Sequence, residues 1–217
     1  MFRQSFRSWF NIIVFLILFP VFLIAQKPTD LVDITELDST IIVELKYATN
    51  NNFLKDTLYS ANICLLRKVV AERLVKVHQS LRTKGFGLKI WDGYHPLSVQ
   101  KKMWTKLPDP KYVANPNRGS NHNRGAAVDV TLVDLQGNEL EMPTVFDDFS
   151  PKARSDYPHV SKQVKKNRKI LQDAMRAQGF QTISSEWWHF NDKDCKKYSI
   201  LDIPLEKFTH HEHKTKK

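Results

Sequence analysis

A single α+β domain with a central antiparallel sheet flanked by helices is the fold class this sequence predicts, on three observations. Strand-like and helix-like segments are mixed without the regular βα alternation that builds parallel sheets. The apolar run A-A-V-D-V-T-L-V-D at 126–134 leads into Gln136-Gly137-Asn138, a turn that folds a strand back on itself. At 217 residues, 41% hydrophobic and 26% charged, the chain suffices for one substantial core and needs no second domain.

Residues 1–25 have the layout of an export signal. Arg3 and Arg7 precede a nearly unbroken apolar run over 10–24, which closes at the small Ala25. The alternative is an uncleaved anchor, although the run is short of the roughly 20 residues that span a bilayer. The domain then occupies 26–208, and 209–217 is a basic tail whose His210, His211 and His213 have no expected fixed site.

Within the domain, I-I-V-E-L-K-Y at 41–47 reads as a strand before the turn Asn50-Asn51-Asn52. Leu66, Val70, Leu74, Val77 and Leu81 recur at helical spacing and stop at Gly85, which predicts a long amphipathic helix. G-L-K-I-W-D at 87–92 is a strand broken by Gly93 and Pro96, and 97–104 is a shorter helix. Pro, Asn and Gly make 106–120 a loop, and F-D-D-F-S-P-K-A-R-S-D-Y-P at 146–158 is another, long enough to suggest function. Val164, Leu171 and Met175 mark a third helix over 161–178 that ends at Gly179, and 180–190 is the last core element.

Removing residues 1–25 takes two arginines and lowers the net charge from +10 to +8. The remaining cations are scattered, or sit in the helix-like 162–169 stretch and the tail, without interleaved aromatics, so nucleic acid is not an expected partner. Anionic cell-envelope polymers suit an exported basic protein better. No stable membrane span is expected after signal cleavage, and the oligomeric state is open. Cys64 and Cys195 are the only cysteines, and an oxidising space permits one disulfide without requiring it.

The chemistry concentrates in two motifs. S-N-H-N-R-G-A-A-V-D at 120–129 supplies His122 and Asp129, and S-S-E-W-W-H-F at 184–190 supplies Glu186 and His189. Two histidines and an aspartate are a zinc-type ligand set, and a neighbouring carboxylate can take a proton from water. The small residues 125–127 let a loop histidine reach a strand aspartate. A carboxylate in the apolar strand A-V-D-V also needs a partner, which a metal ion would provide. Glu186 and His189 lie three apart, so on a regular strand they would face opposite ways, and a turn at Ser184-Ser185 is needed to redirect Glu186.

S-x-H-x-x-G-x-A-x-D followed by E-W-W-H resembles the zinc D-alanyl-D-alanine dipeptidases of the vancomycin-resistance type. K-Y-A-T-N-N-N-F at 46–53, G-F-G-L-K-I-W-D-G-Y-H-P at 85–96 and Phe146-Asp147 extend the resemblance over nearly the whole domain. It implies a hedgehog/DD-peptidase-like fold, one Zn2+ per chain held by His122, Asp129 and His189, and Glu186 as the catalytic base. Asp147 and Tyr47 would receive the free ammonium of D-Ala-D-Ala or a related small dipeptide, with Ser120 near the substrate. The rival activities are a zinc D,D-carboxypeptidase on wall peptides and a non-catalytic zinc-containing envelope binding protein. One position departs from the family: W-D-G-Y-x-P has arginine at x, where this chain has His95. His95 is then the candidate electrophile for the developing oxyanion, a shorter and pH-dependent substitute for a guanidinium, unless Arg118 or Arg124 replaces it.

Overall fold

The computed structural model describes residues 30–209; the predicted signal and the tail histidines lie outside the described residues. Two sheets form. Strands β1 (Leu31–Asp33) and β3 (Leu65–Arg67) make a small antiparallel pair. The main sheet contains β2 (Ile42–Val43), β4 (Phe86–Asp92), β5 (Ala127–Asp134), β6 (Phe180–Thr182) and β7 (His189–Asp192) in the order β2-β4-β5-β7-β6. Its pairings are antiparallel except β2 with β4, which run parallel. The sheet is therefore antiparallel at its centre and mixed at one edge.

The helices are α1 (Ile34–Leu37), α2 (Lys68–Arg82), α3 (Leu97–Lys106) and α4 (Lys162–Ala177). The buried stripe of α2, Val70, Leu74, Val77 and Leu81, joins Leu88, Ile90, Val128, Val130 and Leu132 of β4 and β5 in one core. Ser161 caps α4 by accepting from the Val164 N–H at 3.1 Å, and Leu171 and Met175 enter the same core. Arg73 of α2 donates to the fully buried Asp192 at 2.5 Å and to Asp194 at 3.0 Å, which pins the helix to the end of β7. No helix among the described residues is long and apolar enough to cross a membrane, and Cys64 and Cys195 are both buried and free.

Two expectations change in detail. The strand expected over 41–47 shortens to two residues, because the Leu45 N–H is taken by the Asn62 side chain and the chain then winds into a 3-10 turn at Lys46–Ala48. That turn directs Tyr47 inward. After β5 the expected turn forms, with Gly137 at φ 88 and Asp134 accepting from the Gln136 and Asn138 N–H groups, but only an isolated bridge at Glu139 follows. The segment instead leaves the sheet and runs toward Asp147.

Gly125 is where the main sheet meets the small one. Its φ is +64, and a Cβ there would lie 2.7 Å from Leu31 Cδ2 and 3.2 Å from the Arg67 backbone nitrogen. A left-handed backbone and a clash act together, so Gly125→Ala is expected to cost about 2 kcal/mol or more. A lowered urea midpoint at unchanged slope would record that loss; an unchanged midpoint would show that β1 and β3 simply yield.

Candidate metal centre

Sheet register builds the site. Asp129 of β5 pairs directly with His189 of β7. On its other side the ladder shifts by one residue between Ile90 and Asp92, a bulge at Trp91 that sets Asp92 opposite Asp129. Asp92, Asp129 and His189 therefore form one row across three strands. His122 arrives from the 3-10 turn His122–Arg124, which Gly125 ends, and its ring drops onto the same row.

The side chains of His122, Asp129 and His189 are buried and converge. His189 Nδ1 is 2.9 Å from Asp129 Oδ1, His122 Nε2 is 3.2 Å from His189 Nδ1, and His122 Nε2 is 3.6 Å from Asp129 Oδ1. A tetrahedral ion with bonds of about 2.0–2.2 Å spaces its donors roughly 3.3–3.6 Å apart. The far ring nitrogens are also committed: His122 Nδ1–H donates to the Gly93 carbonyl at 2.8 Å, and His189 Nε2–H donates to Asn191 Oδ1 at 3.0 Å. Those bonds leave the lone pairs of His122 Nε2 and His189 Nδ1 directed at Asp129, as metal-bound imidazoles require. The three residues fit a zinc ion.

Charge leads to the same conclusion. Burial opposes a charged His122, but Asp129 and then Asp92 outweigh it and push its pKa up to about 10. Asp129 is held well below the usual carboxylate range despite its burial, chiefly by His122 and then His189. His189 is raised, against burial, by Asp129. The cluster demands positive charge, and a proton meets that demand when no cation does.

Glu186 stands in the bend before β7, its Oε2 4.0 Å from His189 Nδ1 and its side chain 26% exposed. The bend at Ser184-Ser185 thus brings Glu186 and His189 to one side, as the spacing required. Desolvation raises the Glu186 pKa, with the charge of Asp129 adding to it and His189 opposing. Trp187 and Trp188 are both core residues; the Trp187 indole N–H donates to Thr144 Oγ1 at 2.9 Å, while Trp188 also lines the cavity.

The cavity, about 390 Å³, is lined by all eight residues expected from the sequence: Tyr47, His95, Ser120, His122, Asp129, Asp147, Glu186 and His189. At the wall formed by Tyr47 and Asp147, the Tyr47 hydroxyl is 3.2 Å from both Asp147 carboxylate oxygens. Asp147 has a positive φ of 58, and burial followed by the charge of Asp129 drives its pKa well up. Ser120 Oγ accepts from the Asn123 N–H at 3.2 Å.

His95 is buried and lies parallel to the His122 ring, with centroids 5.4 Å apart. Gln100 donates to the Ala114 carbonyl, so its Oε1 faces His95 Nε2 at 2.9 Å and accepts from it. His95 Nδ1 meets the Tyr59 hydroxyl at 2.9 Å and Asp92 Oδ2 at 3.3 Å, and Tyr59 donates to Asp92 Oδ1 at 2.6 Å. Both ring nitrogens of His95 thus have protein partners. Asp92, His95 and His122 form a second convergent triad, but these hydrogen bonds occupy it internally. Neither Arg118 nor Arg124 lines the cavity; the cations there are Lys111 and Lys196.

Asp92, Tyr59, Gln100, Asn121 and Asn191 escaped the sequence reading. Asp92 had a signal, since it is an acidic residue ending an apolar strand, as unaccompanied as Asp129. Because the empty site holds a proton on His122 at neutral pH, zinc uptake at pH 7 is expected to release at least about one proton and to strengthen as pH rises toward 10. Calorimetry in buffers of different ionisation enthalpy measures this; uptake without proton release would contradict the ligand set.

The D-ala-D-ala dipeptidase family model, peptidase M15, matches residues 27–211. A D-alanyl-D-alanine dipeptidase of Escherichia coli is 38% identical over 173 residues, covering 80% of this chain and 90% of its own. One from Enterococcus faecium is 31% identical over 185 residues, covering 75% and 91%. Among solved structures, a vancomycin-resistance D,D-dipeptidase in complex with a D-Ala-D-Ala phosphinate analogue is 24% identical, covers 60% of this chain and 51% of its own, and has a TM-score of 0.39. With the family match running through almost the whole domain, this chain belongs to the D-ala-D-ala dipeptidase family of peptidases.

Proposed function

We propose that the chain hydrolyses D-Ala-D-Ala, or a closely related dipeptide, with one zinc ion held by His122, Asp129 and His189. The observation that carries this reading is the convergence of those three donors beside Glu186 in a cavity whose wall includes the Tyr47–Asp147 pair. The dipeptidase names of its relatives supply the substrate. Zinc bound there would supply Lewis acidity, lowering the pKa of water and polarising the scissile carbonyl.

The residues divide the remaining work. Glu186, with its pKa raised by burial, takes the proton of the attacking water and returns it to the leaving amine. Asp147 and Tyr47 receive the substrate ammonium, whose positive charge offsets the cost of a buried carboxylate and favours dipeptides over longer chains. Ser120 contacts the substrate from the loop before His122. His95 keeps the electrophile's place, but Gln100 holds its Nε2–H, and Tyr59 and Asp92 its Nδ1, so donation to a substrate oxygen requires exchange of one of these bonds. The stabilisation is then weaker than a free guanidinium would give. For location, we propose export: the supporting features are the basic start, the apolar run and Ala25 within residues 1–25.

D-alanine release from D-Ala-D-Ala by the zinc-loaded chain tests the reading. Glu186→Gln is expected to lower kcat by about 10²- to 10⁴-fold while zinc content stays at one per chain; an active variant would remove Glu186 from the mechanism. His95→Arg is expected to raise kcat by about tenfold or more, the weight of an oxyanion contact. Unchanged rate and pH profile would exclude His95 as electrophile.

A further inference from the structure

Beyond Asp147 lies a second and larger hollow, about 970 Å³, that the catalytic mechanism above does not use. It shares Asp147 and Phe53 with the catalytic cavity, so one carboxylate and one ring divide what is otherwise a continuous channel. Its floor is Trp91 and Thr131, and its far bank is the strap that leaves β5, with Glu139 and Met142. Lys46, held by Glu44 and lying 5.6 Å over the Trp91 ring, forms the near bank.

Two observations indicate an occupant. Thr131 is 1% exposed, and its Oγ1 is the one buried side-chain polar atom among the described residues without a hydrogen-bond partner. Buried hydroxyls are normally satisfied, and a lapse at the floor of a hollow signals a missing ligand group. Thr131 also follows Asp129 by two residues on the same face of β5, about 7 Å along the strand, which is the length of two residues of an extended peptide. A chain whose scissile bond sits above Asp129 has its upstream residues over Thr131.

We propose that this trough receives the amino-terminal extension of longer peptides ending in D-Ala-D-Ala, giving the one catalytic site a second substrate class. The inference rests on the D-Ala-D-Ala reading of that site. Water adds to the carbonyl of the penultimate D-alanine, its C–N bond breaks, and the amine leaves as free D-alanine with the proton returned by Glu186. The other product is the peptide shortened by one residue. In such a substrate Asp147 meets an amide N–H instead of an ammonium, a weaker partner, so dipeptides remain preferred. The trough supplies hydrogen bonding through Thr131 and a wall of mixed charge and aromatic surface, suited to a polar extended chain.

D-alanine release by the zinc-loaded full chain is measured on D-Ala-D-Ala and on an N-acetylated tetrapeptide ending in D-Ala-D-Ala. Wild type is expected to cleave both, the dipeptide faster. Thr131→Val, nearly isosteric, is expected to raise KM for the tetrapeptide by about three- to tenfold, the net weight of one hydrogen bond, without changing the dipeptide rate. Thr131→Ser is expected to behave as wild type, and Asp147→Asn to shift preference toward the tetrapeptide. Cleavage of the dipeptide alone by wild type overturns the proposal and leaves the dipeptidase reading standing, as does a Thr131→Val loss shared equally by both substrates. Inertness toward both substrates overturns the two together.

Discussion

A carboxylate buried in the middle of an apolar sheet governs this molecule. Asp129 stands between Val128 and Val130, both fully buried, and its side chain is 6% exposed. Leaving such a charge unpaired would cost several kcal/mol of a total stability of the order of 10 kcal/mol. Local structure answers that demand from both sides: the β5–β7 register sets His189 directly opposite, and the 3-10 turn closed by Gly125 lowers His122 onto the remaining side. The elements that make the fold possible are the same ones that assemble the donors.

Around that centre the polar groups are arranged as a nested set. Asp92, brought into the row by the bulge at Trp91, sits 3.4 Å from His122 Nδ1 and accepts from Tyr59. Tyr59 and Gln100 in turn hold His95 against the His122 ring. Asn121 and Asn191 do the equivalent for His189 on the opposite side, through a 2.7 Å bond between them. Each donor ring therefore has one nitrogen fixed by the protein and one directed inward, which is how a site fixes tautomers before any ligand arrives.

The sequence carried the site better than the edges of the fold. His122 and Asp129 are close in sequence and linked by small residues, and Glu186 and His189 are three apart, so local spacing already constrained where they could meet. Long apolar periodicities likewise marked α2, α4 and β5. Nothing local announces that β2 would be two residues long and parallel to β4, because its length is set by a distant side chain, Asn62, competing for the Leu45 N–H. Tyr59 reaches His95 and Asp92 from more than thirty residues away, and no period or motif connects them. The one-residue bulge at Trp91 is invisible for the same reason: it becomes necessary only when Asp92 must face Asp129.

The most direct measurement is zinc K-edge X-ray absorption of the full chain loaded with one equivalent of zinc. The account requires a four-coordinate first shell of two imidazole nitrogens and light oxygen donors at about 2.0–2.2 Å, the geometry His122, Asp129 and His189 prepare with one position left over. A sulfur shell near 2.3 Å, which would implicate Cys64 or Cys195, or a spectrum without imidazole scattering, would contradict it.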